Sequence, residues 1–247
     1  MQTEVFPNAP ITEAMLDIRV NLPAEVDLAI LAKFQEPIRD RYPNRVDRVV
    51  WQSGFQVGQA GAVATHASRD TLGYQFASDD GKKVVQARLD GFTHNKLKPY
   101  DRWESFFDEA KELWGIYREI ARPVNITRIA IRYINRIEVP MPIADMKDYL
   151  LTGPDIAPGA PQAMASYFMR LVLVKQHVEH VAIVTEATDQ APEDLKFIPI
   201  IFDIDVYLER VFEPGDASIW MEFEAMRAMR NEVFFSSVTD RCKELFR

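Results

Sequence analysis

Arg128, Arg132 and Arg136 stand four residues apart in the run 126–139, so on an extended strand three guanidinium groups leave the same face. Ile129, Ile131, Tyr133, Ile137 and Val139 fill the other face, and Asn135 falls among them, where a buried amide needs partners. In the run 196–208, Asp203 and Asp205 oppose Ile200, Phe202, Ile204 and Val206 in the same alternation. Placed side by side, the two runs make a charged ladder with two readings. One is a solvated outer face held by cross-strand ion pairs, each worth a few tenths of a kcal/mol. The other is an arginine-lined site for a phosphate or carboxylate, since planar guanidinium groups take such anions bidentately.

Nothing else in the chain has catalytic spacing. His177-Val178-Glu179-His180 has the residue types of a metal site but straddles a hairpin turn, whereas metalloprotease histidines share one helical face. His66 and His94 are isolated from any nucleophile, and Asp203 and Asp205 are better placed to neutralise arginines than to hold a cation. No glycine-rich run has the strand-loop-helix context and following lysine of a phosphate loop. Cys242, between Arg241 and Lys243, reads as a half-buried helical thiol. No catalytic residue, metal or cofactor is therefore assigned.

With 247 residues, 47% hydrophobic and 27% charged, the chain has the composition of a soluble globular protein. Its formal net charge of −8 argues against broad nucleic-acid binding and favours a partner with a basic surface. No run approaches the roughly 20 apolar residues of a membrane span, and the first ten residues lack an export signal, so a cytoplasmic address is expected.

The elements that must position these residues follow from periodicity. Alternation over 11–20 predicts a strand, and Leu28, Leu31, Phe34 and Ile38 predict a short helix troubled by Pro37. Strands are expected over 49–57, 72–77 and 83–93, with Asp79-Asp80-Gly81 turning the chain between the last two. The stretch 58–70 reads as a loop or a poorly formed strand. Asp101 and Glu104 have capping-box spacing ahead of a helix whose apolar stripe runs from Trp103 to Tyr117. Beyond the strand 126–139, a helical turn over 146–151 and a surface loop over 153–161 precede strands at 165–177 and 181–187, turned at Val178-Glu179-His180. After the strand 196–208, a helix from 218 to 246 ends the chain. Phe234, Phe235, Leu245 and Phe246 in its tail predict docking or a homodimer.

The run Ile11 to Val20 is echoed by Ile126 to Asn135, an offset of 126 − 11 = 115, which also carries Asp101 onto Asp216. The expectation is an α+β protein with an internally duplicated strand-helix-three-strand-helix unit and antiparallel sheets covered by long helices. Its halves would be 1–122 and 123–247, in one two-lobed domain.

Four segments, Asn8 to Ala14, Tyr100 to Glu104, Arg128 to Ile137 and Phe234 to Asp240, resemble a sporadically distributed prokaryotic family of uncharacterised proteins of similar length. The resemblance spans nearly the whole chain and implies no activity. The leading expectation is a non-enzymatic binding or regulatory protein, such as a toxin-neutralising or defence-associated partner. The alternative is an enzyme or sensor for an anionic small molecule held by Arg128, Arg132, Arg136, Asp203 and Asp205.

Overall fold

The computed structural model describes residues 6–57, 63–190, 192 and 196–247, with side chains described except at 50–57 and 63–70. Among the described residues, nine antiparallel strands form one sheet: β1 (Ile11–Asn21), β2 (Asn44–Val57), β3 (Val63–Ala77), β4 (Lys83–Arg88), β5 (Gly91–Leu97), β6 (Asn125–Pro140), β7 (Phe168–Val174), β8 (Val181–Thr188) and β9 (Phe197–Phe212). The spatial order is β2-β3-β4-β5-β1-β6-β9-β8-β7. The first strand of each half therefore lies at the centre. Outward from it run β1-β5-β4-β3-β2 on one side and β6-β9-β8-β7 on the other.

Two long helices, α3 (Trp103–Ala121) and α4 (Ser218–Ser237), lie against one face, with α1 (Leu28–Ala32), α2 (Gln35–Ile38) and α5 (Asp240–Lys243). The core fills the layer between: Leu16, Ile18, Ile131, Tyr133, Phe202 and Ile204 from the sheet meet Phe107, Trp114, Phe223 and Phe234 from the helices. Alternation over Ala14–Val20 and Ile131–Val139 makes this possible, because burying every second residue there leaves the intervening, largely polar residues on the opposite, helix-free face.

Several expectations need correction. The run 83–93 is two strands, because the chain turns at Leu89-Asp90 into Gly91, whose φ is +153°. A Cβ on Gly91 would stand 2.3 Å from the Ile18 carbonyl oxygen, so only glycine lets β5 approach β1 there. Among the described residues the first half thus holds five strands and the second four. The stretch 58–70 divides: 58–62 lies outside the described residues, while 63–70 belongs to β3.

The first helix breaks into α1 and α2 ahead of Pro37, which then sits in the first turn of α2, where a missing N–H costs nothing. Asp101 does not cap α3: Arg102 is the N-cap without a side-chain bond, and the Asp101 carboxylate lies 3.4 Å from the Lys96 ammonium instead. The last helix stops at Ser237. Val238 is extended, and Thr239 accepts from the Cys242 amide at 3.1 Å to start α5, since a β-branched pair with a good N-cap favours a restart. The β7–β8 turn falls earlier than Val178, with His177 in left-handed geometry at φ 63°.

The aromatic tail packs on its own chain. Phe246 is buried and meets Phe6 edge-on at 5.4 Å, and the Asn8 amide donates to the Phe246 carbonyl at 2.9 Å. The surface that suggested a homodimer through this helix is therefore largely used within the fold. None of the described helices is long and apolar enough to cross a membrane.

Candidate functional site

The arginines and aspartates singled out by spacing lie together on the helix-free face. Strand β6 pairs β9 with Arg132 opposite Asp205 and Ile134 opposite Asp203. Arg132 donates from Nε to both Asp203 oxygens at 2.9 and 3.0 Å and from Nη2 to Oδ2 at 2.6 Å. Arg128 Nη2 lies 3.4 Å from Asp205, and its guanidinium lies 4.7 Å from the Tyr207 ring centre. Arg136 turns outward to Glu138 and, at 3.2 Å, to Asp189.

The first half extends the ladder with residues that spacing did not single out. Asp17 of β1 stands 3.6 Å from Arg128, accepts from Arg88 at 2.9 Å and from the Thr93 hydroxyl at 2.7 Å, and meets Arg19 at 3.0 Å. Arg19 and Arg88 both reach Asp90 in the turn before Gly91. Burial works to raise the Asp17 carboxyl, but Arg88 and Arg19 and two hydrogen bonds hold it below the ordinary carboxylate value. Asp205 goes the other way: burial raises it, against Arg128 and Arg132, and the neighbouring Asp203 adds to the rise. The cations of this face are thus largely committed to carboxylates. An incoming anion would have to displace one of them.

Toward the β7 edge the same face carries exposed apolar side chains on either side of the exposed Arg170. Phe168 is 72% exposed, Val172 53% and Val174 74%, and Val172 pairs with Ile183, which pairs with Asp205. A single row across the sheet therefore passes from Arg132 through Asp205 to Ile183 and Val172.

A second candidate lies on the helix side. The start of α3, the later turns of α4, Asn135 of β6 and the segment 6–11 enclose a cleft of about 240 Å³. Parts of all four segments 8–14, 100–104, 128–137 and 234–240 line it, although none of them adjoins another in sequence. At its base the Tyr100 and Tyr133 hydroxyls are 2.9 Å apart, and Asn135 finds the partner its burial requires, donating to the Phe202 carbonyl at 2.9 Å. The Arg230 guanidinium stacks 3.8 Å from the Tyr133 ring centre. Arg227 lies 5.1 Å from Trp103 and is loosely paired with Glu104 and Glu224 at 3.5 and 3.4 Å. Sequence spacing did not single out Arg227 or Arg230, which only the fold brings beside Trp103 and Tyr133.

The remaining candidates hold no chemistry together. His180 is buried with Nε2 2.9 Å from Glu222, and His177 occupies the turn. His94 is buried and stacked on Phe106 at 5.1 Å, and the side chain of His66 is outside the described residues. No group of three metal-ligating residues forms among the described residues. Burial pushes the Cys242 thiol up to about 12, the opposite of an activated nucleophile. Comparison of the chain with protein-family models, curated proteins and solved structures finds no match.

Proposed function

We propose that this chain is a non-enzymatic binding or regulatory protein of the bacterial or archaeal cytoplasm that engages a protein partner through the helix-free face of its sheet. The supporting observation is the composition of that face. It joins an ion-paired lattice around Asp17, Arg132 and Asp203 to an exposed apolar strip at Phe168, Val172 and Val174. An apolar anchor beside a fixed charge pattern is what a specific protein interface uses. The chain's charge of −8 selects a partner with a basic surface, as a neutralised toxin or a defence component would present. The arginine-lined small-anion site is the weaker reading, because Arg128, Arg132 and Arg136 already hold carboxylates.

We also read the architecture as an internal duplication, and assign the chain to the sporadic prokaryotic family that it resembles. Leu16 faces Ile131 across the sheet centre (131 − 16 = 115), and α4 begins 218 − 103 = 115 residues after α3. Hydrogen-bond registers that pair Ala77 with Val84 and Val174 with Val181 give the β3–β4 and β7–β8 hairpins the same span. A twofold axis at the Leu16–Ile131 pair would exchange the halves.

Hydrogen exchange on the isolated complex tests the partner reading. Protection concentrated on β7, β8 and β9 supports it, and protection confined to α3 and α4 contradicts it.

A further inference from the structure

We propose that the helix-side cleft is a binding site for a small organic acid with an aromatic or acyl body, its acid group held by Arg230 with Arg227 beside it. This site is independent of the partner face. It lies on the opposite side of the sheet.

Arg230 carries the inference. Its guanidinium lies 3.8 Å from the Tyr133 ring centre and lines the cleft together with Arg227. Its Nε is buried without a hydrogen-bond acceptor, and it forms no ion pair with any carboxylate among the described residues. No carboxylate among the described residues balances this charge, so a ligand carboxylate that meets the part of Arg230 lining the cleft supplies the opposite charge. Arg227 is less tightly held than Arg132, its nearest carboxylate oxygen being 3.4 Å away against 2.6 Å. It can therefore turn toward an acid without abandoning a strong pair.

The rest of the wall is suited to an apolar body. Phe6, Pro10, Ile11, Trp103, Phe234 and Phe235 line it. An apolar cavity of roughly 150 Å³ accepts a benzene ring. At about 240 Å³ this cleft has room for a ring and an acid group. Asp101 and Glu104 at the rim disfavour a polyanion such as a nucleoside triphosphate, so a singly charged acid fits best.

Calorimetric titration of the full chain with phenylacetate, phenyl phosphate and the neutral phenylacetamide tests this. Phenylacetate is expected to bind with a Kd below about 1 mM, and phenylacetamide roughly tenfold or more weaker, because the charge-assisted bond to Arg230 is lost. Tighter binding of phenyl phosphate than of phenylacetate would overturn the singly charged preference. Arg230→Met should lose at least about tenfold in phenylacetate affinity. Phe235→Trp, which fills the cleft and leaves Arg230 in place, should also weaken binding and serves if Arg230→Met fails to fold. Equal binding of acid and amide, no binding of either, or undiminished binding by both variants overturns the proposal.

Discussion

Arg132 grips Asp203 side-on, with Nε and Nη2 both donating to one carboxylate across the central strands of the sheet. Asp203 is only 10% exposed at its side chain while Arg132 is 45% exposed, so the pair is anchored from the aspartate side. That asymmetry decides what each truncation costs.

Arg132→Ala leaves a mostly buried carboxylate without its main partner and should destabilise by about 1–2 kcal/mol, more than an isolated surface pair. Asp203→Ala frees a guanidinium that water can reach and should cost about 1 kcal/mol or less. A double-mutant cycle by urea denaturation should return a coupling of about 1 kcal/mol. A coupling indistinguishable from zero would mean that the ladder is decorative.

Two buried groups tilt the stability between pH 4.5 and 7 in opposite directions. Burial lifts Glu186 to about 7 from 4.5, against a hydrogen bond from Tyr167. The folded state then holds its proton more tightly, and stability is lost as pH rises from 4.5 through 7. Burial depresses His94 to about 4 from 6.5, opposed by Glu109. The unfolded state then takes the proton first, and stability is lost as pH falls from 6.5 through 4. At about 1.4 kcal/mol per pH unit, each amounts to about 3 kcal/mol. Glu186→Gln should remove the loss on the alkaline side and His94→Leu the loss on the acid side, tilting the melting profile in opposite directions. Parallel profiles for the variants and the parent would refute this assignment.

Gly91→Ala should cost about 2–4 kcal/mol, because the added Cβ meets backbone that cannot retreat without separating β5 from β1. Gly81→Ala serves as the comparison: it shares a positive φ, but nothing lies within 4 Å of its Cβ position. A shift in denaturation midpoint no larger for Gly91→Ala than for Gly81→Ala would show that the close approach is not what constrains Gly91.

The charged ladder was half legible in the sequence. Arg128, Arg132 and Arg136 alternate with buried residues over a long strand, and Asp203 and Asp205 do the same, so their shared face followed from period-two patterning. Asp17, Arg88 and Asp90 escaped because their membership depends on the turn before Gly91, which places β5 between β1 and β4. The α3 cap does not follow the local motif either: Asp101 stands one residue ahead of the N-cap Arg102, and its carboxylate lies 3.4 Å from Lys96. The cleft was illegible because it is assembled by α3, α4, β6 and the segment 6–11, and only the fold brings Arg230 onto Tyr133.

The partner face is tested most directly by affinity capture from the source cells with three forms of the chain. The parent protein should retain one stoichiometric protein with a basic surface. Phe168→Asp combined with Val172→Asp, which places charge in the exposed strip of β7, should lose it. Met221→Asp, on α4 and 71% exposed on the helix side, should retain it. Retention by the β7 variant, loss by the α4 variant, or no stoichiometric partner with the parent protein would contradict the account.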